Sequence, residues 1–348
     1  MSKSVIGLLA GSLTLLSMAA TSRANDLALL SDEFDDAATL ANWTRVNEEE
    51  GWMADDLEVF DINATTPGRM TMMPYTTSWF EDYRGPLVFK EVTGDFVITT
   101  DVEVSARDGA SVPGIGTEYS LAGIMIRTPR DITPQTWTPD GENYIFLSLG
   151  YGNAQPPDYQ FEVKTTEDGD STLILAPAPA NQAAIQVARL GTSVIVLRRE
   201  PGQPWVIHNR YERADMPETL QVGLVSYTDW RKVSQFAPFV QNSNVLTDPL
   251  PVGVNDPDPG TPFVPDLIAS FDYAHYFRPT VPSELAGLDL WDAGQVTDQQ
   301  LLGFLGENAN LAGNAAVPAA SSWGIVVLLL SILLVGSLFS LNRSRLQI

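Results

Sequence analysis

The sequence predicts an all-β body, a sandwich or a barrel, from three observations. Between Asp26 and Pro279, short apolar runs are separated by Gly, Pro, Asn and Asp. Glycine and proline are frequent, 26 and 24 in 348 residues, and many of them stand between those runs. No stretch of residues 27–279 carries a long helical period, and no repeat of about 20–50 residues occurs, which argues against a propeller.

Phe96 to Val104 is rich in β-branched residues and partly alternates. Leu121 to Arg127 is stopped by Thr128-Pro129, and Tyr144 to Gly150 and Tyr159 to Lys164 follow. Ile185 to Leu190, Ser193 to Arg198, Leu220 to Tyr227 and Leu267 to Phe277 complete the set. Asp168-Gly169 carries the two-residue hairpin signal, and Gly191-Thr192 suits a second tight turn. Leu175 to Ala180 reads as an extended, exposed, proline-rich connection. Phe236 to Pro265 reads as a long loop. After Pro279, Thr297-Asp298-Gln299-Gln300 has the capping-box form, and Leu301, Leu302, Phe304 and Leu305 supply an apolar stripe. This predicts one short helix, packed on the sandwich or serving as a stalk.

The two ends have a different character. Lys3, the apolar run Val5 to Met18 and Ser22-Arg23-Ala24 form a leader-like segment over residues 1–24. Trp323 to Leu341 is 19 residues without a charge, long enough to cross a bilayer core as a helix, and Arg343 and Arg345 follow it. A basic tail after an apolar span stays cytoplasmic. The expected order is a leader at 1–24, a sandwich at 27–279 and a short helical segment at 280–311. A linker at 312–322, a membrane or sorting helix at 323–341 and a basic tail at 342–348 follow.

Composition narrows the function classes. Zero cysteines exclude disulfides, thiolate metal sites and a thiol nucleophile, and two histidines exclude a multi-histidine metal centre. The 43 acids all lie between the two end segments, where only 16 of the 20 basic residues fall, so the body carries −27. That charge repels phosphate backbones and argues against nucleic acid as a partner.

Several motifs carry a family resemblance. Asp32-Glu33-Phe34-Asp35 with Trp43, Gly85-Pro86-Leu87-Val88-Phe89, Ala122 to Arg127, Glu142 to Leu147 and Phe271 to Phe277 occur in the order seen in bacterial concanavalin A-like lectin/glucanase modules. The resemblance covers residues 27–279, and the nearest group is a branch related to the accessory sandwich of β-xylosidases. It implies a jelly-roll of two antiparallel sheets whose closing strand pairs with the first, often binding carbohydrate and sometimes calcium. Val317 to Gly324, with the apolar span and the arginines, resembles the IPTL-type C-terminal sorting signal. Pro318, Ser321, Trp323 and Gly324 match that pattern, while Val317, Ala319 and Ala320 depart from it. This resemblance implies handling by an exosortase-type enzyme at the membrane, with a plain anchor as the alternative.

Candidate site residues follow from chemistry. A lectin site needs aromatic faces beside hydrogen-bonding side chains. Trp79, Asp82, Tyr83 and Arg84 offer these ahead of one strand, and Tyr227, Asp229 and Trp230 offer them after another. Period-2 alternation puts Gly123, Met125 and Arg127 on one sheet face, so Arg127 is expected to point into a groove. Asp256 and Asp258 are hard oxygen donors that could serve Ca²⁺, though two acids are few for an ion taking about six to eight ligands. The Glu-x-Asp-x-x-Glu string of the glucanases is absent, and no catalytic residue is assigned. The expected protein is exported and envelope-associated, with a glycan or matrix polymer as its ligand. A glycoside hydrolase with a non-standard carboxylate pair and a structural surface protein without ligand are the alternatives.

Overall fold

A computed structural model describes residues 26–306. The leader, residues 307–311, the linker, the apolar span with Pro318, Ser321, Trp323 and Gly324, and the basic tail lie outside the described residues. Among the described residues no helix is long and apolar enough to cross a membrane.

The early strands are β1 (Thr44–Arg45), β2 (Leu57–Ile62), β3 (Met70–Pro74), β4 (Leu87–Thr93) and β5 (Phe96–Ser105). The central ones are β6 (Ser120–Arg127), β7 (Tyr144–Tyr151), β8 (Gln160–Glu167), β9 (Asp170–Pro177), β10 (Gln182–Leu190) and β11 (Ser193–Arg199). β12 (Val206–Glu212), β13 (Thr219–Tyr227), β14 (Ile268–Phe271) and β15 (His275–Phe277) close the set. Four short α-helices accompany them among the described residues: α1 (Val46–Glu50), α2 (Trp230–Val233), α3 (Pro238–Ser243) and α4 (Asp298–Leu305).

The strands form two antiparallel sheets. One runs β1-β4-β13-β6-β7-β8-β9, and the other runs β12-β11-β10-β5-β14-β3-β2, with β15 also on β5. Two open sheets face to face make a sandwich rather than a barrel. Alternation decides what each strand buries. Ala122, Ile124 and Ile126 of β6 meet Ile185 and Val187 of β10 and Ile98 and Val102 of β5 in the main core between the sheets. The chain's opening segment meets the closing strands at a β-bridge, with Asp32 N donating to Ala274 O at 2.9 Å and Ala274 N to Asp32 O at 2.8 Å, and Tyr276 N donates to Ser31 Oγ at 2.9 Å.

The expected hairpins form. Asp168 and Gly169 both take positive φ, 47° and 80°, as a two-residue turn matched to strand twist requires. Gly191 (φ 61°) turns β10 into β11. Two expectations change. The proline-rich stretch is not wholly a connection, because β9 continues to Pro177. β9 is an edge strand, where the missing proline N–H breaks no ladder bond. The long loop after β13 contains α3, whose start at Pro238 suits the fixed φ of a first helical turn.

The capping box of α4 is present, with Thr297 Oγ1 accepting from Gln300 N at 3.3 Å and the Gln300 side chain answering Thr297 N at 2.9 Å. This segment is not a stalk. Leu285, Leu290, Val296, Leu301, Phe304 and Leu305 pack on the outer face of the eight-stranded sheet, against Val97, Ala184, Ala188, Ile195 and Leu197. Gln186 Nε2, on that same face, donates to Leu305 O at 2.8 Å.

Candidate binding site

The outer face of the seven-stranded sheet carries a different chemistry. Cross-strand register lines up three rows on it. Gln221, Arg127, Tyr144 and Thr166 form one. Gly223, Met125, Phe146 and Lys164 form the next, and Val225, Gly123, Ser148 and Glu162 the third. Residues 46–56, 76–86, 128–143 and 228–246 connect strands around this face and contribute the groups that bond to it.

The first row sits under an ion network. Arg127 Nε and Nη2 hold Glu142 Oε2 and Oε1 at 2.8 and 3.2 Å, and its Nη1 donates to Glu50 at 2.7 Å and to Gln221 at 2.6 Å. Arg84 also bonds Glu50, its Nε stands 3.0 Å from Glu142, and Arg130 donates to Glu142 at 2.7 Å. Arg84, Arg127 and Glu142 are fully buried. Burial opposes ionisation of Glu142, but the Arg127, Arg84 and Arg130 guanidiniums overcome it and hold its carboxyl far below the usual range. A carboxylate held this way is a structural anion and a poor proton donor.

Lys164 of the second row floors a pocket of about 170 Å³, lined also by Ser78, Phe80, Tyr119, Leu173 and Trp230. Lys164 is buried. Its Nζ donates to Trp79 O at 2.7 Å, lies 2.9 Å from Glu162 Oε1, and stands 5.0–5.4 Å from the ring centres of Phe146, Phe80 and Tyr227. Burial pulls its pKa down, and the Glu162 carboxylate beside it works the other way. Burial and then the Glu162 charge raise the Tyr227 and Tyr119 phenols. The walls are half-buried rings. Trp230 packs edge-on to Phe80 at 5.1 Å and to Tyr83 at 5.4 Å between ring centres. Such a pocket offers apolar ring faces above a balanced ammonium–carboxylate pair.

Among the residues singled out from sequence, Trp230 lines this pocket with its ring half-buried. Trp79 is fully buried, donating from Nε1 to Pro86 O at 3.1 Å, and it packs edge-on to Tyr144. Tyr83 donates to Phe236 O at 2.6 Å. Asp82 accepts from Asp140 N at 2.8 Å and Gly141 N at 3.4 Å. Arg84 and Arg127 belong to the ion network, and Arg127 points under loops instead of into an open groove. Tyr227 lies beneath the pocket, bonded to Ser148 Oγ at 3.0 Å. Asp229 takes φ 67° and accepts from Thr76 Oγ1 at 2.6 Å and Val264 N at 2.8 Å.

Sequence reasoning left Phe80, Tyr119, Glu162 and Lys164 out of the site. The signal for the last two was present: Phe161 and Val163 of β8 face the main core, so Glu162 and Lys164, which alternate with them, belong to the opposite face.

Asp256 and Asp258 do not fit a calcium site as they stand. Lys232 Nζ occupies the centre of their oxygen cluster. It lies 2.7 and 2.8 Å from the Asp256 carboxylate oxygens, 2.8 Å from Asp258 O and 2.7 Å from Thr261 O. Among the described residues no cluster of three or more His, Asp or Glu is arranged to hold a metal ion.

No protein-family model and no curated protein matches the sequence. Among solved structures, the chain is similar to a mutant GH43 protein from Bacillus licheniformis, with 14% identity and a TM-score of 0.45. That match covers 73% of this chain, which spans only 40% of the GH43 protein's length. A functionally unknown protein from Saccharomyces cerevisiae matches at 14% identity and TM-score 0.42, over 69% of this chain and 98% of its own. The kappa-carrageenase from Pseudoalteromonas carrageenovora, solved with an oligotetrasaccharide, matches at 12% identity and TM-score 0.36, over 71% and 92%.

Proposed function

We propose that this protein is an envelope-associated sandwich of the concanavalin A-like class that binds carbohydrate in the pocket walled by Trp230, Phe80 and Tyr119. The carrying observation is that pocket: three half-buried rings over the Lys164–Glu162 pair. Ring faces take the apolar face of a sugar, and the ammonium and hydroxyl groups at the floor and wall serve its hydroxyls.

Binding is favoured over hydrolysis. Glycoside cleavage uses two carboxyl groups flanking the bond. The pocket lining holds none, Glu162 beneath it is paired with Lys164, and Glu142 is neutralised by arginines. The leader-like residues 1–24 support export. The apolar span 323–341 supports membrane anchoring, with exosortase-type processing drawn from the resemblance at Pro318, Ser321, Trp323 and Gly324.

Titration of the purified full-length chain with a panel of neutral oligosaccharides, read by tryptophan fluorescence, tests this. Trp230→Ala is expected to weaken binding about tenfold or more, the equivalent of about 1.4 kcal/mol of lost ring burial. Unchanged affinity in that variant places the ligand elsewhere. Release of reducing sugar by the wild type establishes the hydrolase alternative instead.

A further inference from the structure

A second pocket of about 280 Å³ adjoins the first, lined by Ile115, Gly116, Thr117, Asp229, Arg231, Gly260, Thr261, Pro262 and Val264. The two are separated by a ridge made of the same two segments. Trp230 N donates to Glu118 O at 3.2 Å, Arg231 N to Thr117 O at 2.9 Å, and Arg231 Nη1 to Gly116 O at 3.3 Å. Tyr119 and Trp230 line one side of this ridge, and Thr117, Asp229 and Arg231 line the other. Successive Cα atoms lie about 3.8 Å apart, so the pockets are next-door neighbours.

Three features mark the ridge and the far wall as built. Glu118, Tyr119 and Asp229 all take left-handed backbone, φ 64°, 50° and 67°, a conformation unfavourable for a non-glycine residue and kept where surroundings enforce it. The far wall, residues 260–264, hangs on the Lys232 ammonium through Asp256, Asp258 O and Thr261 O, all at 2.7–2.8 Å. Val264 N is tied to Asp229 Oδ2 at 2.8 Å. The wall is thus shaped before any ligand arrives, by a cation belonging to the chain itself.

Neither pocket alone reaches the volume of about 300–1,000 Å³ typical of small-molecule sites, while the two joined do. Charge is balanced in both. Lys164 faces Glu162, Lys232 faces Asp256, and the exposed Arg231 stands beside Asp229. With a body of −27, a polyanion gains nothing here. Resting on the carbohydrate reading above, we infer that the ligand is a neutral, hydroxyl-rich glycan chain that crosses the Trp230 ridge, with one unit on the rings and the next against Thr117, Arg231 and Thr261.

The test is chain length. Neutral β-1,4-linked gluco- and xylo-oligosaccharides from monomer to hexamer, and oligogalacturonates as acidic counterparts, are titrated into the full-length protein by calorimetry. Affinity is expected to rise at least tenfold between the monomer and short oligomers of the preferred neutral series, then level off. Arg231→Ala is expected to remove that gain, and Trp230→Ala to weaken every length. Length-independent affinity, or an unchanged length profile in Arg231→Ala, overturns the two-pocket ligand but leaves the ring pocket standing. Tighter binding of the acidic series overturns its neutrality. No binding of any saccharide overturns the carbohydrate reading and this inference with it.

Discussion

The two outer faces of the sandwich solve the same problem with opposite chemistry. Each sheet buries one face in the shared core and must cover the other. On the eight-stranded sheet the cover is apolar: Leu285, Leu290, Leu301, Phe304 and Leu305 lie on Val97, Ala184, Ala188 and Ile195. The small alanines let the cover approach, and close packing leaves little room for a ligand. On the seven-stranded sheet the cover is ionic and aromatic. Buried charges must keep fixed partners to offset their desolvation, so Arg84, Arg127, Glu50 and Glu142 pin the loops in one geometry. Rigid loops over large rings leave a pocket open. An apolar cover closes a face, whereas a pinned polar cover can hold a site.

The comparison is broken most severely by Glu142→Gln. It leaves Arg84 and Arg127 buried with less than their matching charge, which costs about 3–5 kcal/mol when a buried pair loses one partner. At roughly 2–4 °C per kcal/mol for a domain of this size, a large fall in melting temperature is expected. A melt within a degree of wild type removes the claim that this network organises the face.

Leu301→Ala tests the other cover. Leu301 is fully buried, and its truncation is expected to cost about 2–5 kcal/mol. Hydrogen exchange is expected to accelerate in residues 281–305 while saccharide affinity is unchanged, because the site lies on the opposite sheet. Lost affinity in that variant denies the independence of the two faces.

The smallest effect is a pH slope. His208 on β12 accepts from Arg198 Nε at 3.2 Å, and burial followed by the Arg198 charge lowers its pKa from 6.5 to about 4. The unfolded chain takes the proton first. Stability from this group is therefore full above about pH 6.5 and declines as pH falls toward about 4. Glu142, lowered from the ordinary 4.5, keeps its contribution down to about pH 4.5 and loses it progressively in stronger acid. His208→Gln is expected to flatten the melting-temperature slope between about pH 6.5 and pH 4. An identical slope assigns it to other groups.

Much of the fold was legible because it is written locally. The strand runs, Asp168-Gly169, Gly191 and the Thr297–Gln300 capping box act within a few residues of themselves, so period and turn chemistry read them correctly. The alternation that put Arg127 and Met125 on one face was also local, and it held. β1, β2, β3, β12 and the continuation of β9 to Pro177 were missed; all but β3 lie at a sheet edge, where pairing leaves little pattern in the strand itself.

The site is where local reading ended. The sequence by itself determined the residue types: rings and charges clustered at Trp79–Arg84 and Tyr227–Arg231, and a body too acidic for a polyanion. Only the tertiary structure decided which of them line a pocket. Trp79 and Trp230 have the same side chain in similar company, yet one lies under the loops and the other lines the pocket. Glu162 and Lys164 are separated from Trp230 by more than sixty residues and are brought beneath it by strand register. Lys232 fills the place among the Asp256 oxygens that a metal would need. Burial and long-range pairing are properties of the assembled sheets, and no window of sequence carries them.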